Sequence, residues 1–479
     1  MKKNSLSQNF IFYLVYQILL YIVPLVTTPY LSRVLGAEGI GRYSFAQSIV
    51  SYFVLAATLG TTLYGQRKIA SLKTDPAAQT QAFWQIFLLR VVTTAVALAV
   101  YGVVVLPACG APVLYLVSAI ELLGVAFDIS WFFQGEESFA TITKCNGICK
   151  ILSVALIFLL VRTAADLNMY VVIYCGMTVA GNLAQWTFVP RYLQRGAVVR
   201  PLAFGQHLKP ALGLFVAQVA IQVYTVLDKT MIGVITRSDA QNGYYEQAQK
   251  LIRVLTTLTT SIGTVMASRV AILWREEKYD EIEKMLQTSF RVIFCLACPV
   301  VVGVLLVAER FVPIFYGNGF EEVVPLLYIL VFLIPIIGIS NVIGMQYLVP
   351  TGKETYLTRS VMIGSIVNVG FNAFLIPRFG ALGAAIASVI AETCVPCIQA
   401  YTVHEVLNFK PIGRLFVRYC LCSAPVAVLG EAINGIAPQG IWGLVIVVIP
   451  CIAVYLLELA FLKDPALKFV FSVFAKNKS

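Results

Sequence analysis

Apolar runs of about twenty residues follow one another along most of this chain, and a run of that length crosses a bilayer as a helix. Of the 479 residues, 59% are hydrophobic and only 12% are charged, against about 25% charged in a soluble chain. The runs do not alternate apolar and polar at period two, so lipid-facing strands are disfavoured. The expected class is an all-α polytopic membrane protein with about fourteen transmembrane helices, at 10–32, 43–64, 82–106, 112–134, 145–161, 168–189, 208–235, 244–273, 290–308, 323–349, 358–376, 381–403, 414–433 and 440–462. Met1-Lys2-Lys3 precedes the first run with no small-residue cleavage site, so that run is expected to remain as a helix.

The basic residues fix an orientation for this count. With the N-terminus inside and loops assigned alternately, the inner loops and tails hold 23 Lys and Arg and the outer loops 6. That bias follows the positive-inside rule with both termini cytoplasmic. Most of the net charge of +11 is therefore topological and implies no nucleic-acid partner. Loops are short. The stretch REEKYDEIEKMLQTS, 275–289, reads as an amphipathic helix linking two spans on the inner side. No segment has room for a nucleotide-binding domain, and no Gly-rich Lys-Ser/Thr phosphate loop occurs, so ATP is excluded as an energy source on this chain. No large loop offers a catalytic carboxylate, which argues against an enzyme.

Cysteine and histidine offer no metal or redox chemistry. Cys295/Cys298 and Cys394/Cys397 have CxxC spacing but lie in apolar runs, where they read as small packing residues. The only histidines, His207 and His404, are far apart in sequence. No cofactor is expected.

The chain carries an internal repeat. Thr28 to Gln47 is echoed by Thr230 to Gln249 at an offset of 202 residues, pairing Gly41 with Gly243, Tyr43 with Tyr245, Ala46 with Ala248 and Gln47 with Gln249. A period this long marks a duplicated half, and transporters built from halves bind substrate between them. The expected organisation is a first lobe at 1–205, a second at 206–406, and two further helices with a tail at 407–479.

Charge at membrane depth costs about 2.5–3.5 kcal/mol on insertion scales, so it seeks a partner or a wet cavity. Arg90, Arg269 and Glu458 fit equally well as residues near helix ends that reach out to water. Two constellations stand out. Asp128-Ile129-Ser130-Trp131-Phe132-Phe133 sets a carboxylate beside indole and phenyl rings, and Glu121 lies two turns back on the same face. Sugar handling or proton acceptance would suit it, as would an interfacial aromatic belt. The second is Asp228-Lys229 with Tyr245, Gln249, Lys250 and Arg253. Paired cations there could grip a diphosphate, or could join an internal salt-bridge network. Arg33, Arg42, Tyr43 and Gln47 hold comparable places in the first copy, and Lys150 is a further cation in an apolar run. Helix 323–349, with Pro325, Pro335 and Gly338, and helix 10–32, with Pro24 and Pro29, are candidate sites of bending.

Four segments carry a resemblance to a known family: TTPYLSRVLGAEGIGRYSFAQS from Thr27, DISWFFQGEESF from Asp128, LDKTMIG from Leu227 with GYYEQAQK from Gly243, and PRFGALGAAIA from Pro377. Over its whole length the chain resembles the Wzx-type polysaccharide flippases of the multidrug/oligosaccharidyl-lipid/polysaccharide exporter superfamily, which serve O-antigen and exopolysaccharide biosynthesis. The resemblance implies two pseudo-symmetric six-helix lobes around a central cavity, followed by two helices. It implies transport, by alternating access, of an undecaprenyl-diphosphate-linked oligosaccharide from the inner to the outer leaflet, with a polysaccharide polymerase and glycosyltransferases as partners. Arg33, Arg42, Lys150, Lys229, Lys250, Arg253, Tyr43, Gln47, Tyr245, Gln249 and Trp131 are the candidate cavity residues. Asp128, Asp228, Glu121 and Glu392 are the candidates for coupling to Na+ or H+. A cation-coupled multidrug exporter and a lipid-linked peptidoglycan precursor flippase are the alternatives within the superfamily.

Overall fold

The computed structural model describes residues 6–194, 196, 203–261, 263–405 and 407–467. The inner-side cations Lys2, Lys3, Arg195, Arg200, Lys468, Lys476 and Lys478 lie outside the described residues. Helices α1 (Leu6–Thr58), α2 (Thr61–Ser71), α3 (Pro76–Ala108), α4 (Pro112–Phe127), α5 (Ser130–Gly135), α6 (Phe139–Leu160) and α7 (Leu167–Trp186) follow in order. After them come α8 (Gly205–Thr236), α9 (Asp239–Thr260), α10 (Gly263–Arg275), α11 (Tyr279–Tyr316), α12 (Val323–Leu330) and α13 (Leu333–Asn341). The last are α14 (Glu354–Phe379), α15 (Ala381–Val403), α16 (Phe409–Ile436) and α17 (Ile441–Phe461). All fourteen expected spans fall on helix, and among the described residues eleven helical stretches are long and apolar enough to cross a membrane.

Breaks within the spans have local causes. α1 holds the first two expected spans and turns at Gly36, whose φ of 66° lies where only glycine rests without strain. The second span does not end where expected. It stops at Leu59 and Gly60, both at positive φ, and resumes as α2 as far as Ser71. Asp75 accepts from the Ala78 amide at 3.0 Å, and Pro76 follows at the first helical position, so α3 starts there. Pro335 cannot donate to the preceding turn, and α12 ends at Leu330 before α13 begins. A π-helical turn over Val342–Leu348 follows α13.

One expectation is corrected. The charged stretch 275–289 is not a separate linking helix. From Tyr279 it forms the first turns of α11, which then runs unbroken to Tyr316, because no glycine or proline interrupts it before Pro299.

The chain divides into two compact units. The first is Met1–Gly233 with Ser238–Gly243, and the second is Val234–Arg237 with Tyr244–Ser479. In the first unit the core is aromatic at one end, where Phe83, Trp131, Phe132 and Phe133 are fully buried. The Phe83 and Phe132 rings meet edge to face at 4.9 Å. In the second unit α11, α16 and α17 share a core that includes Phe290, Phe294, Val426 and Val447. Two tyrosines pin it: Tyr455 donates to the Cys295 carbonyl and Tyr419 to Asp464, both at 2.8 Å. α14 and α15 form a hairpin around Gly380. There a Cβ on Gly383 would sit 2.5 Å from the Leu375 carbonyl oxygen, which accounts for the small residues of GALGAAIA. All eleven cysteines are free.

Candidate functional site

In the first unit, α1, α4, α6 and α7 bring a polar, aromatic group together inside apolar helices. Tyr43 and Gln47 stand one turn apart on α1. Gln47 donates to Glu121 of α4 at 2.7 Å. On α7, Tyr170 and Tyr174 are also one turn apart, and Tyr43 meets them edge-on at 5.2 and 6.4 Å between ring centroids. The Lys150 ammonium of α6 lies 5.6 Å from the centre of the Tyr174 ring, a contact worth about 0.5–2 kcal/mol. Tyr43, Gln47, Glu121, Lys150 and Tyr174 are each half-buried, so each keeps an accessible edge. Two accessible aromatic rings, Tyr43 and Tyr174, backed by the buried Tyr170, with a cation, an amide and a carboxylate in one place, can stack on sugar rings, hold a phosphate and bind a cation.

Other candidates in this unit stand elsewhere. Arg42 pairs with Asp239 at 3.1 Å, with both side chains substantially exposed, and such a surface pair contributes about 0–1 kcal/mol. Arg33 is exposed and donates to the Pro29 carbonyl. Asp228 is buried, and the Lys229 carbonyl accepts from Asn242 at 2.8 Å. The Asp128 carboxylate is held by Arg90 at 2.8 Å, and its other oxygen accepts from the Ser130 amide at 3.0 Å, which shapes the turn between α4 and α5. Trp131 is fully buried against Phe83, and a Cβ on Gly65 would fall 2.5 Å from its ring.

Sequence reasoning did not single out Arg90 as a partner for Asp128. It is 1% exposed and also donates to the Val125 carbonyl at 2.8 Å. Tyr170 and Tyr174 were likewise missed, although their spacing on one face of an apolar run was a readable signal.

In the second unit the polar face of α9 carries two pairs one turn apart. Lys250 approaches Glu246 at 3.5 Å, and Arg253 donates to Gln249 at 2.8 Å. Arg253 is exposed and Lys250 and Gln249 are half-buried. Tyr245 is fully buried with its hydroxyl 3.0 Å from that of Ser388 on α15, and Glu392 lies one turn beyond Ser388, half-buried. Lys250 and Arg253 therefore belong to one cationic strip, and Tyr245 turns into the packing beneath it.

Midway along the repeat, the backbones of its two copies touch within the first unit. A Cβ on Gly41 would lie 1.6 Å from the Asp239 carbonyl oxygen and 2.7 Å from the Gly243 nitrogen, and one on Gly243 would lie 2.1 Å from the Ala37 carbonyl oxygen. Only glycine permits that approach. Further along α1, Tyr52 and Ser48 both hydrogen-bond Thr230 of α8 at 3.0 Å.

Known proteins place this architecture. A "Putative O-antigen transporter" of Escherichia coli (strain K12) is 24% identical over 422 residues, covering 84% of this chain and 98% of the relative. The "Capsular polysaccharide biosynthesis protein CapF" of Staphylococcus aureus is 24% identical over 370 residues, covering 74% of this chain and 88% of that one. Among solved structures, a "Lipid II flippase MurJ, inward closed conformation" superposes with a TM-score of 0.74 at 14% identity, over 94% of this chain and 99% of that one. An inward-facing multidrug resistance MATE transporter of the MOP superfamily gives 0.60 at 14% identity, over 82% of this chain and 98% of its own. The two-lobed all-α fold is thus shared with these transporters. Residues 6–267 match the family model described as polysaccharide biosynthesis protein, and the chain belongs to that family.

Proposed function

We propose that this protein is a flippase that moves an undecaprenyl-diphosphate-linked oligosaccharide from the inner to the outer leaflet of a bacterial cytoplasmic membrane by alternating access. The observation that carries the reading is the group formed by Tyr43, Tyr170, Tyr174, Lys150, Gln47 and Glu121, whose chemistry matches a phosphorylated sugar head. The Tyr43 and Tyr174 rings offer stacking faces to sugars, and Lys150 offers a charge to phosphate. The lipid tail stays in the bilayer, so the protein supplies only a wet, cationic lining for the head group. Lys250 and Arg253 supply the corresponding charge in the second half. Relatives named as an O-antigen transporter and a capsular polysaccharide biosynthesis protein support the substrate class.

In this reading, residues 1–205 and 206–406 are the rocking lobes, both termini are cytoplasmic, and glycosyltransferases and a polymerase act before and after the flipping step. Glu121, half-buried and joined to Gln47, is the coupling acid of choice in the first half, with Glu392 and Asp228 in the second. Asp128 and Trp131 act on structure: the first holds Arg90 and the second fills the core.

Charge reversal tests the assignment. In a strain whose surface polysaccharide depends on this chain, Lys150→Glu and the pair Lys250→Glu with Arg253→Glu are each expected to cut surface polysaccharide at least tenfold while membrane levels of the protein stay unchanged. Normal polysaccharide in both variants would remove these cations from the substrate path.

A further inference from the structure

A second cationic place lies at the start of α16, in the second unit and away from α9. Lys410, Arg414 and Arg418 are spaced four residues apart, so they rise along one face of the helix in steps of about 6 Å. They line one wall of an open cavity of about 660 Å³ whose opposite wall includes Glu458 of α17 and Leu462 just past its end. Arg418 is anchored by the Asp464 carboxylate at 2.8 Å. Lys410 and Arg414 are exposed, and among the described residues no carboxylate stands within ion-pair distance of either. The first turn of α16 adds the positive end of the helix dipole on the same side.

The rest of the cavity is apolar and open. Val417 is 56% exposed and Leu421 67% exposed, and they continue the same face of α16 toward the interior of the bilayer. Glu458 is the one acid in the lining, which it shares with Cys422, one turn beyond Arg418 on α16. Cations at the end of the helix, an apolar trough beyond them, and an acid below the cations match one kind of occupant. The anionic end must stay at the surface and the hydrocarbon must run inward.

We infer that this cavity binds a membrane phospholipid with an anionic head group, its phosphate at Lys410 and Arg414 and an acyl chain along Val417 and Leu421. A resident lipid there would seat α16 and α17 in the leaflet at that end of the helices, whatever the protein transports.

Native mass spectrometry of the full chain in detergent, titrated with phosphatidylglycerol or phosphatidylcholine, tests this. Wild type is expected to retain phosphatidylglycerol in preference to phosphatidylcholine. Lys410→Gln with Arg414→Gln should weaken that retention about tenfold or more, since each basic side chain near a membrane surface contributes materially to anionic-lipid binding. Leu421→Trp, which fills the trough and leaves the cations in place, should weaken it as well. Lys278→Gln with Lys284→Gln, which removes two cations at the start of α11, should leave it unchanged. Equal retention of both lipids by wild type would overturn the inference. So would unchanged retention in the α16 double variant and Leu421→Trp, or a matching loss in the α11 variant.

Discussion

Replacing Arg90 with methionine is expected to destabilise the first unit by about 1–3 kcal/mol, the usual cost of leaving a hydrogen-bonded group without its partner, because the Asp128 side chain left behind is a quarter exposed to water. The guanidinium joins α3 to the end of α4 through Asp128 at 2.8 Å and the Val125 carbonyl at 2.8 Å, and it reaches Thr62 of α2 at 3.3 Å. Methionine fills much of the volume but leaves the Asp128 carboxylate without its cation. The turn between α4 and α5 depends on that carboxylate, because Ser130 donates its amide to the other oxygen. The turn in turn delivers Trp131, Phe132 and Phe133 into the aromatic core. Arg90→Lys keeps the charge and loses the fork of donors, so an intermediate loss is expected. Thermal unfolding of the detergent-solubilised protein, together with its level in membranes, reads the effect. Wild-type values for Arg90→Met would contradict a structural role for the pair.

The second large effect is expected at Gly41. Its Cβ position lies 1.6 Å from a backbone oxygen and 2.7 Å from a backbone nitrogen, atoms that cannot swing aside as a side chain would. Gly41→Val should therefore separate the two helix starts while leaving the hydrogen bonds inside each helix intact. That displacement is expected to lower turnover without loss of insertion. Surface polysaccharide is expected to drop at least tenfold at normal protein levels. Gly102→Val is the control, because a Cβ there meets nothing within 4 Å. Full activity in Gly41→Val would show that the close approach has no part in transport.

The spans were legible because a bilayer sets their length and their composition together. Every expected span falls on helix, and Pro335 lies by an expected interruption, whereas the turn in α1 falls at Gly36 and not at Pro24 or Pro29, where bending was expected. The start of α11 was misjudged because charge was taken as a boundary. A helix leaves the membrane as readily as it enters when no residue breaks it, and charged residues are good helix formers.

The polar groups were harder to read, since periodicity says which residues share a face and not which face they meet. Arg90 and Asp128 lie 38 residues apart on different spans, and no local pattern joins them. Trp131 was weighed as a ligand surface because it follows a carboxylate, but the α4–α5 turn points it inward. Lys150 and Glu121 stand out as charges in apolar runs, and Tyr43 and Gln47 as the first-copy counterparts of Tyr245 and Gln249. That they gather at one place depends on how four helices pack.

Transport in reconstituted vesicles tests the central claim most directly. A fluorescent polyprenyl-diphosphate oligosaccharide would be placed in both leaflets, and its exposure to an impermeant quencher followed over time. The purified chain is expected to exchange this lipid between leaflets, to do so at least tenfold more slowly with Lys150→Glu, and to leave an uncharged polyprenyl glycoside where it began. Exchange no faster than in protein-free vesicles, or equal exchange of the charged and uncharged lipids, would contradict the account.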